Sequence, residues 1–308
     1  MEKVKILLTG GTGFLGSAIL RNLKKTENVD ILAVKRPHSN IEQFKDLLGI
    51  QWVDLDVENE FIEKWIDFKP NIIIHSAWAG VSNAERASWN VQLQNFELFR
   101  NLIHLAEKVN IDKFIVLGSQ SEYGIYNTAV SENAEIVGHD AYAACKIAMN
   151  SLLESFCSKE NINWYWLRVF SIYGPGENEN WFIPWIISKM LNNEDVALTG
   201  CEQEYDYLYI DDFAKMIEKI VFSKKENQGI YNICSGNSLP LKKIALKIKE
   251  LINGNAKLDF GAIPYRDNQS MFLGGNISKF KNNYGAIPDI GLTLGLQQTI
   301  NYYRSRLL

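Results

Sequence analysis

The sequence predicts an α/β fold, in which a doubly wound parallel sheet is combined with a smaller, interleaved α/β lobe. Two observations lead to this prediction. Short apolar runs alternate with amphipathic, helix-like segments through the first 170 residues or so. The first run, residues 4–8, leads directly into a glycine-rich turn and a helix. With 308 residues, the chain is long enough to form a large domain with a second lobe.

The predicted strands are short and rich in Val, Ile and Leu, as expected for parallel strands that are buried on both faces. They cover residues 4–8, 30–34, a run ending at 55, 71–75, 112–117 and 164–169. Helical patterns follow the glycine-rich turn to about residue 25 and cover residues 87–108 and 141–159. Beyond residue 175 the alternation weakens. There the patterns predict helices at 181–191, from 211, at 241–252 and at 294–304, and strands at 205–210 and 229–234.

The composition is that of an ordinary globular protein, with 46% hydrophobic and 22% charged residues. A net charge of −4 argues against a nucleic-acid binder, which would carry a strongly basic face. The sequence has no long apolar run to span a membrane, and its start has no signal-peptide pattern, so we expect a cytoplasmic protein. The four cysteines are scattered, which predicts reduced thiols, and the four histidines lack metal-ligand spacing, so no metal site is expected.

The glycine-rich turn indicates a dinucleotide site. Gly10, Gly13 and Gly16 follow the first strand with the spacing G-x-x-G-x-x-G and open a helix. Glycines there permit a tight turn and close backbone approach, and the helix N-terminus offers N–H groups to a pyrophosphate. The alternative is a purely structural turn. The predicted cofactor contacts in this Rossmann-like unit are Gly10, Thr12, Gly13, Phe14, Leu15 and Gly16.

The end of the second strand favours NADPH over NAD. An NAD site usually has an acid at this point for the ribose hydroxyls, whereas Lys35 and Arg36 would suit a 2′-phosphate. Alternatively, both are solvated loop charges. Asp54, at the end of the third strand, could accept from the adenine amino group with Leu55 packed on the ring, or it could cap a helix.

A tyrosine and a lysine mark a candidate catalytic centre. Tyr142 and Lys146 are four residues apart in a helical segment, so both side chains lie on one face. An ammonium beside a phenol lowers the phenol's pKa, which suits proton transfer at a carbonyl or hydroxyl. Ser119 follows a parallel strand, where such sheets place their chemistry. The spacing alone also fits a surface helix pair.

Together these motifs resemble the extended short-chain dehydrogenase/reductase family, in its nucleotide-sugar epimerase, dehydratase and reductase branch. The resemblance covers nearly the whole chain. The matching elements are residues 9–16, 54–55, 74–77, Asn95, Ser119, Tyr142, Lys146, 167–175, 209–212, 231–236 and 264–266. It implies a dinucleotide-binding domain at 1–170, with return segments near 204–235, and a nucleotide-sugar lobe at 171–203 and 236–308.

The resemblance also implies roles. Tyr142 would donate or accept the proton, Lys146 would bind the nicotinamide ribose and lower the tyrosine's pKa, and Ser119 would bond the reacting sugar oxygen. Arg266 would pair with the substrate diphosphate. Further cofactor contacts would come from Ser76, Ala77, Asn95, Phe170, Ser171 and Ile172. The remaining substrate candidates are Gln120, Ser121, Asn180, Trp181 and Tyr207.

Departures from the family pattern narrow the reaction. Dehydratases of the family carry Asp-Glu after the residue that matches Ser119, where this chain has Gln120 and Ser121. Glu122 is one position late, and in an extended segment that shift would turn its side chain away, which disfavours dehydration. The family's arginine before the strand at 205–210 is also missing, which leaves the nucleotide contacts of that segment open.

The expected reaction is NADPH-dependent reduction of the 4-keto group of a nucleoside-diphosphate 4-keto-6-deoxyhexose, for polysaccharide sugar biosynthesis. The alternatives are an NAD-dependent nucleotide-sugar 4-epimerase or C4 dehydrogenase, and a non-catalytic dinucleotide-binding protein, against which the intact Tyr142, Lys146 and Ser119 argue. The resemblance implies a homodimer. Apolar residues of the helix at 87–108, such as Phe96 and Phe99, would fit a dimer contact or packing on the sheet equally well.

Overall fold

The computed structural model describes residues 3–47, 49–55, 60–224, 227–267 and 269–307. The chain folds into two units. The first comprises Met1–Gly124, Ala134–Val169 and Ile217–Tyr231, and the second Ile125–Asn133, Phe170–Met216 and Asn232–Leu308. The second unit's segment 125–133, which lies between two parts of the first, was not anticipated in the sequence. Across the described residues, no helix is both long and apolar enough to cross a membrane.

The first unit is built on a doubly wound sheet, as predicted. The sheet has seven strands in the order β10-β6-β5-β4-β1-β2-β3, and β1 to β6 pair in parallel. Its strands are β1 Val4–Thr9, β2 Val29–Lys35, β3 Ile50–Asp54, β4 Ile72–His75, β5 Lys113–Ser119, β6 Asn163–Val169 and β10 Gly229–Ile233. The strand order reverses between β1 and β4, where ligands bind outside the carboxyl ends of strands.

Helices cover this sheet. They are α1 Phe14–Leu23, α2 Glu60–Phe68, α3 Asn83–Arg86, α4 Trp89–Leu93, α5 Asn95–Lys108 and α6 Ala141–Glu160. One buried core joins β1, β2, β4 and β5 to α2, α5 and α6, and it contains Phe99 and Leu102. Phe96 and Ile103 are partly buried and also pack against this core, so these residues of α5 contribute to packing on the sheet.

The long helix predicted at 87–108 is divided in the structure. Gln94 separates α4 from α5, and α3 precedes them. The amide of Asn95 donates to the Gln92 carbonyl at 3.1 Å, which takes an acceptor from the helix ladder. The sequence period alone does not reveal such competition from a side chain.

The second unit contains two small sheets. In one, β9 Glu204–Tyr209 pairs with β7 Ser171–Tyr173, β11 Ser238–Pro240 and β13 Phe272–Leu273, and in the other β8 Val196–Leu198 pairs with β12 Leu258–Phe260. Its helices are α7 Phe182–Leu191, α9 Leu241–Ile252, α10 Ser278–Tyr284 and α11 Leu292–Arg304. A further helix, α8 Ile210–Phe222, begins in the second unit and ends in the first.

Candidate active site

The glycine turn has the tight backbone geometry that the predicted phosphate cradle requires. Gly10 has φ +73°, a conformation that favours glycine, and a Cβ on Gly16 would overlap the Gly10 carbonyl oxygen. The helix α1 starts at Phe14 behind Gly13, so no N-cap side chain accepts from its first N–H groups. An uncapped helix of ten residues behind a glycine turn fits the pyrophosphate of a dinucleotide.

Two predicted cofactor residues pair with each other. Lys35 and Asp54 are opposite one another in the parallel register of β2 and β3, and their side chains form an ion pair. The Lys35 ammonium also donates to the Pro37 carbonyl at 3.3 Å, whereas Arg36 is exposed. Leu55 is half-buried, and its N–H donates to the Lys35 carbonyl at 2.8 Å. Of these two cations, Arg36 is therefore the more exposed.

The start of the loop after β4 is held by the Thr9 hydroxyl. The Thr9 hydroxyl bonds His75 Nδ1 at 2.8 Å and accepts from the Ala77 N–H at 3.2 Å, which places the loop beside the glycine turn. Burial and Lys146 lower the pKa of His75 to about 3, so it stays neutral as a histidine packed in the core. Ser76 lies between these anchors and is half-buried.

Asn95 acts on this loop through both ends of its amide. Its Oδ1 accepts from the Ala79 N–H at 2.7 Å, and its Nδ2 donates to the Ala79 carbonyl at 3.1 Å. Buried Gln92 accepts from the Trp78 indole at 2.9 Å and donates to the carbonyls of Gly80 and Glu85. The two amides thus hold the segment that carries Trp78 and the short helix α3. Asn95, which was predicted to contact the cofactor, instead bonds the loop after β4.

Ser119 ends β5 and caps the 3₁₀ turn Gln120–Tyr123. Its hydroxyl accepts from the Ser121 N–H at 3.2 Å, while its own N–H donates to Glu122 at 2.8 Å. The extended conformation expected for this segment is wrong, because the reciprocal capping of Ser119 and Glu122 closes a helical turn.

Glu122 is completely buried and belongs to a structural network. Its carboxylate accepts from the Trp166 indole at 2.9 and 3.0 Å and from Arg168 Nε at 2.8 Å. The Arg168 guanidinium, 4.4 Å from the Tyr123 ring centroid, is also buried. A carboxylate held by three donors from β5 and β6 is poorly placed to act as an acid on a ligand, which agrees with the argument against dehydration.

Tyr142 lies in the first turn of α6, which Asp140 caps by accepting from the Ala143 N–H at 2.7 Å. The tyrosine is buried, its ring meets the Trp78 ring edge-on at 5.8 Å, and its hydroxyl forms hydrogen bonds with Ser119 and Arg86. The sequence-predicted pair of Ser119 and Tyr142 is therefore in direct contact in the structure.

The pKa of Tyr142 differs from the expectation. Burial raises it above its usual value, and Glu122 acts in the same direction, while the Arg86 charge and the hydrogen bonds with Ser119 and Arg86 lower it. Lys146 was expected to lower this pKa, but the cation that lies on the phenol ring is Arg86, 4.2 Å from its centroid.

Lys146 is directed elsewhere. Its ammonium donates to the Leu117 carbonyl at 2.6 Å and lies 3.6 Å from the Trp78 ring centroid, against 5.8 Å from that of Tyr142. Burial lowers the pKa of Lys146 to about 7, Glu122 raises it and Arg86 lowers it further. The Glu122 carboxylate therefore offsets only part of the effect of burial on the Lys146 ammonium. Lys146 lies on the same face of α6 as Tyr142.

The remaining predicted residues belong to the second unit. Phe170 is buried and its N–H donates to the Ile233 carbonyl at 3.0 Å, while Ser171 and Ile172 lie on β7 opposite Tyr207 and Leu208. Of the substrate candidates, Asn180, Trp181 and Arg266 are exposed. Trp181 is the N-cap of α7.

Two tyrosines of β9, Tyr205 and Tyr207, have raised pKa values. Burial raises the pKa of Tyr207, and the neighbouring Glu177 and Tyr205 add to the effect. Burial likewise raises the pKa of Tyr205, while a Gln269 hydrogen bond and the charge of Arg266 lower it. Arg266 therefore lies near β9, where the family's usual arginine is missing.

Sequence reasoning missed Arg86, Gln92 and Trp78. Each contributes to the surroundings of Tyr142, and each lies in a stretch that was interpreted only as a loop or helix start. The available signal was Trp78, a tryptophan three residues after the end of β4, where loops carry function. Within the described residues, no three His, Cys, Asp or Glu side chains are grouped so as to hold a metal.

Comparison with known proteins decides the family. The model of the NAD dependent epimerase/dehydratase family matches residues 6–234. The chain belongs to this family. It is therefore an enzyme of the nucleotide-sugar epimerase, dehydratase and reductase group, and the resemblance drawn from its motifs is confirmed.

Relatives within the family differ in their reactions. CDP-abequose synthase of Salmonella muenchen is 28% identical over 302 residues, which cover 96% of this chain and 97% of that protein. dTDP-6-deoxy-L-talose 4-dehydrogenase (NAD(+)) of Aggregatibacter actinomycetemcomitans is 25% identical over 287 residues, 88% of this chain and 99% of that protein.

Solved structures confirm the fold. A UDP-N-acetylglucosamine 4-epimerase from Methanobrevibacter ruminantium M1, in complex with UDP-N-acetylmuramic acid, superimposes with a TM-score of 0.88 at 22% identity, covering 99% of this chain and 100% of that one. A UDP-glucuronic acid 4-epimerase from Bacillus cereus, in complex with UDP-glucuronic acid and NAD, gives a TM-score of 0.85 at 23% identity, with the same coverage.

The Glu122 network predicts a large loss of stability on substitution. Glu122→Gln leaves the Arg168 guanidinium buried without its counter-charge, which typically costs about 3–5 kcal/mol. The matched control is Glu42→Gln, which breaks an exposed ion pair with Lys45 and should cost less than about 1 kcal/mol. Urea unfolding followed by tryptophan fluorescence measures both. Equal midpoint shifts in the two variants would contradict the structural role of Glu122.

Proposed function

We propose that the protein reduces the 4-keto group of a nucleoside-diphosphate 4-keto-6-deoxyhexose with NADPH, in the cytoplasm, as a step in polysaccharide sugar biosynthesis. The observation that carries this proposal is the hydrogen-bonded pair of Ser119 and Tyr142, a proton donor held for a carbonyl oxygen, beside a carboxylate already committed to Arg168. The similarity to CDP-abequose synthase over nearly the whole chain supports a reductive role.

Three residues of the first unit have separate roles in the proposed reaction. NADPH, when bound, would supply the hydride that the carbonyl carbon receives. Tyr142 donates its hydroxyl proton to the carbonyl oxygen, so the ketone becomes an alcohol. Ser119 donates a hydrogen bond to the same oxygen and stabilises charge as it develops, an effect typically worth on the order of 10²–10³ in rate. Lys146 binds the nicotinamide ribose from the next turn of α6.

The substrate contacts are assigned residue by residue in this proposal. Arg266 pairs with the diphosphate, because a guanidinium suits the geometry of phosphate oxygens. The contacts assigned to the sugar and base are Gln120, Ser121, Asn180, Trp181 and Tyr207. Phe170, Ser171 and Ile172 line the nicotinamide.

The choice of cofactor rests on Arg36. The Lys35 charge is already balanced by Asp54, so the 2′-phosphate would pair with the exposed Arg36. The same ion pair favours a second candidate, an NAD-dependent 4-epimerase or C4 dehydrogenase, because it puts an acid at the edge where NAD enzymes hold the ribose hydroxyls. The NAD-dependent relatives are compatible with this alternative.

A direct assay separates the two functions. Purified protein is offered NADPH with CDP-, dTDP-, UDP- and GDP-4-keto-6-deoxyglucose, and the absorbance of the reduced nicotinamide is followed. We expect consumption with at least one of them. Tyr142→Phe should lose about a hundredfold or more in turnover while retaining NADPH binding, because a positioned general acid contributes that much.

The control variant is Tyr302→Phe, which removes a hydroxyl from α11 outside the assigned site. It should keep full turnover. The proposal fails if no keto sugar oxidises NADPH while an ordinary nucleotide sugar is epimerised without added cofactor.

Cofactor preference tests the role of Arg36. Arg36→Ser should raise KM for NADPH by about tenfold or more, since a hydrogen bond to a charged group contributes roughly 1.5–3 kcal/mol. KM for NADH should stay within about twofold, because the 2′-phosphate is missing from NADH and the lost contact does not exist there. Steady-state kinetics with both cofactors measures this. Unchanged KM for NADPH in the variant would remove the basis for assigning NADPH.

A homodimer is proposed through the outer faces of α4 and α6, which pack against each other. Trp89 and Leu93, one turn apart on α4, are 58% and 53% exposed, and Leu152 on α6 is 48% exposed. Large exposed apolar side chains on adjacent helices are typical of an interface. Light scattering should show a dimer that Leu93→Asp dissociates and that the control Leu246→Asp, on α9, leaves intact. A monomeric wild-type protein would refute it.

A further inference from the structure

Arg86 occupies a position for which the proposed reaction has assigned no residue. It ends the short helix α3, and the buried Gln92 holds the backbone around it by donating to Gly80 at 2.7 Å and to Glu85 at 3.0 Å. One terminal nitrogen of its guanidinium donates to the Ser121 hydroxyl at 2.7 Å. The side chain is therefore fixed at both its backbone and its charged end.

The guanidinium also lies against the proton donor. Its central carbon is 4.2 Å from the centroid of the Tyr142 ring, and the group forms a hydrogen bond with the phenol hydroxyl. Arginine combines a planar surface for stacking on an aromatic ring with several N–H donors, which an ammonium does not offer. The contact therefore restricts both the rotation of the ring and the direction of the hydroxyl.

One N–H donor of this guanidinium makes no hydrogen bond within the described residues. The Arg86 Nε is buried and has no hydrogen-bond partner among the residues that the structure describes. An unmet buried donor costs free energy, so such groups are commonly completed by a ligand at functional sites. This donor is beside Tyr142 and Ser121, in the part of the first unit where the keto sugar is proposed to react.

Lys146 does not provide the same contact. Its ammonium is committed to the Leu117 carbonyl and the face of Trp78, at 2.6 and 3.6 Å. Its distance to the Tyr142 ring centroid is 5.8 Å, against 4.2 Å for Arg86, so the closer cation contact comes from α3.

We propose that Arg86 is the positioning residue for Tyr142, whose guanidinium orients the phenol and stabilises the phenolate that forms when the proton passes to the sugar oxygen. This inference rests on the proposed ketoreductase function. It gives Arg86 the electrostatic role that the spacing of Tyr142 and Lys146 suggests for the lysine, and it leaves Lys146 to the nicotinamide ribose.

The charges around both titrating groups determine the sign of a pH effect. Tyr142 is influenced by Arg86 from α3, by Ser119 at the end of β5 and by Glu122 from the 3₁₀ turn. Lys146 is influenced by Glu122 and Arg86, and it acts in turn on His75 at the end of β4. Arg86 lowers the pKa of both Tyr142 and Lys146, so its removal should raise both.

The predicted consequence is a shift of the alkaline side of the pH profile. Reduction needs Tyr142 protonated, and the ribose contact needs Lys146 charged, so activity falls as pH rises through either pKa. In Arg86→Gln this fall should move to higher pH by about one unit, the lower end of the effect of an adjacent opposite charge. At neutral pH kcat should drop by about tenfold or more, because a weaker acid transfers its proton more slowly.

Two further variants complete the kinetic test. Arg86→Lys keeps the charge without the planar fork and should restore the wild-type position of the profile but only part of kcat. Arg100→Gln removes an exposed arginine of α5 and should match wild type throughout. KM for the keto sugar should stay within about threefold in Arg86→Gln. A profile that superimposes on wild type, or a loss confined to KM, would overturn the proposal.

A measurement without substrate separates this inference from the proposed function. Tyrosine labelled with carbon-13 at Cζ reports each phenol by NMR, and Tyr142→Phe identifies the Tyr142 signal. In the NADPH-free protein, Arg86→Gln should titrate at higher pH than wild type, with Arg86→Lys close to wild type. An upward shift in a protein that reduces no keto sugar supports Arg86 and refutes the reductase. No shift refutes Arg86 whatever the activity.

Discussion

The candidate site of the first unit depends on the hydrogen bonds of the buried Glu122 carboxylate. It accepts hydrogen bonds from the Ser119 backbone, the Trp166 indole and the Arg168 guanidinium, and all three side chains of this network are shielded from water. A buried charge is tolerated only when it is paired and fully bonded. The network therefore fixes the end of β5, where Ser119 meets Tyr142, to the neighbouring strand β6.

The same network distributes charge around the catalytic pair. Glu122 raises the pKa of Tyr142 and of Lys146, and Arg86 lowers both, so the two groups act in opposite directions on one centre. Because the Glu122 carboxylate is bonded to Trp166 and Arg168, it is held within the protein network. This separates the proposed ketone reduction, which needs one proton donor, from dehydration, which needs a further acid.

Much of the fold could be predicted because it follows from local patterns. The apolar runs, the glycine turn and the Tyr142 helix depend on residues close together in the sequence, and the sheet order then brings Ser119 and Tyr142 into contact. The remaining features depend on distant partners. Glu122 meets Trp166 and Arg168 only through the register of β5 with β6, and Lys35 meets Asp54 only through that of β2 with β3.

Arg86 could not be assigned from sequence for the same physical reason. Its position depends on the amides of Gln92 and Asn95, which fold the segment after β4 against the protein, and no spacing rule links that segment to Tyr142. The i, i+4 rule correctly put Lys146 on the face of Tyr142. It did not predict that the ammonium would turn to the Leu117 carbonyl and the Trp78 ring instead.

In the proposed reaction, hydride passes from an exchangeable NADPH to the sugar carbon, in a net reduction. Isotope transfer tests it most directly. The keto sugar is incubated with NADPH that carries deuterium at the transferable position of the nicotinamide, and the product is analysed by mass spectrometry and NMR. One deuterium at sugar C4 is expected for each NADP⁺ formed. Recovery of the keto sugar without deuterium and without oxidation of NADPH would contradict net reduction.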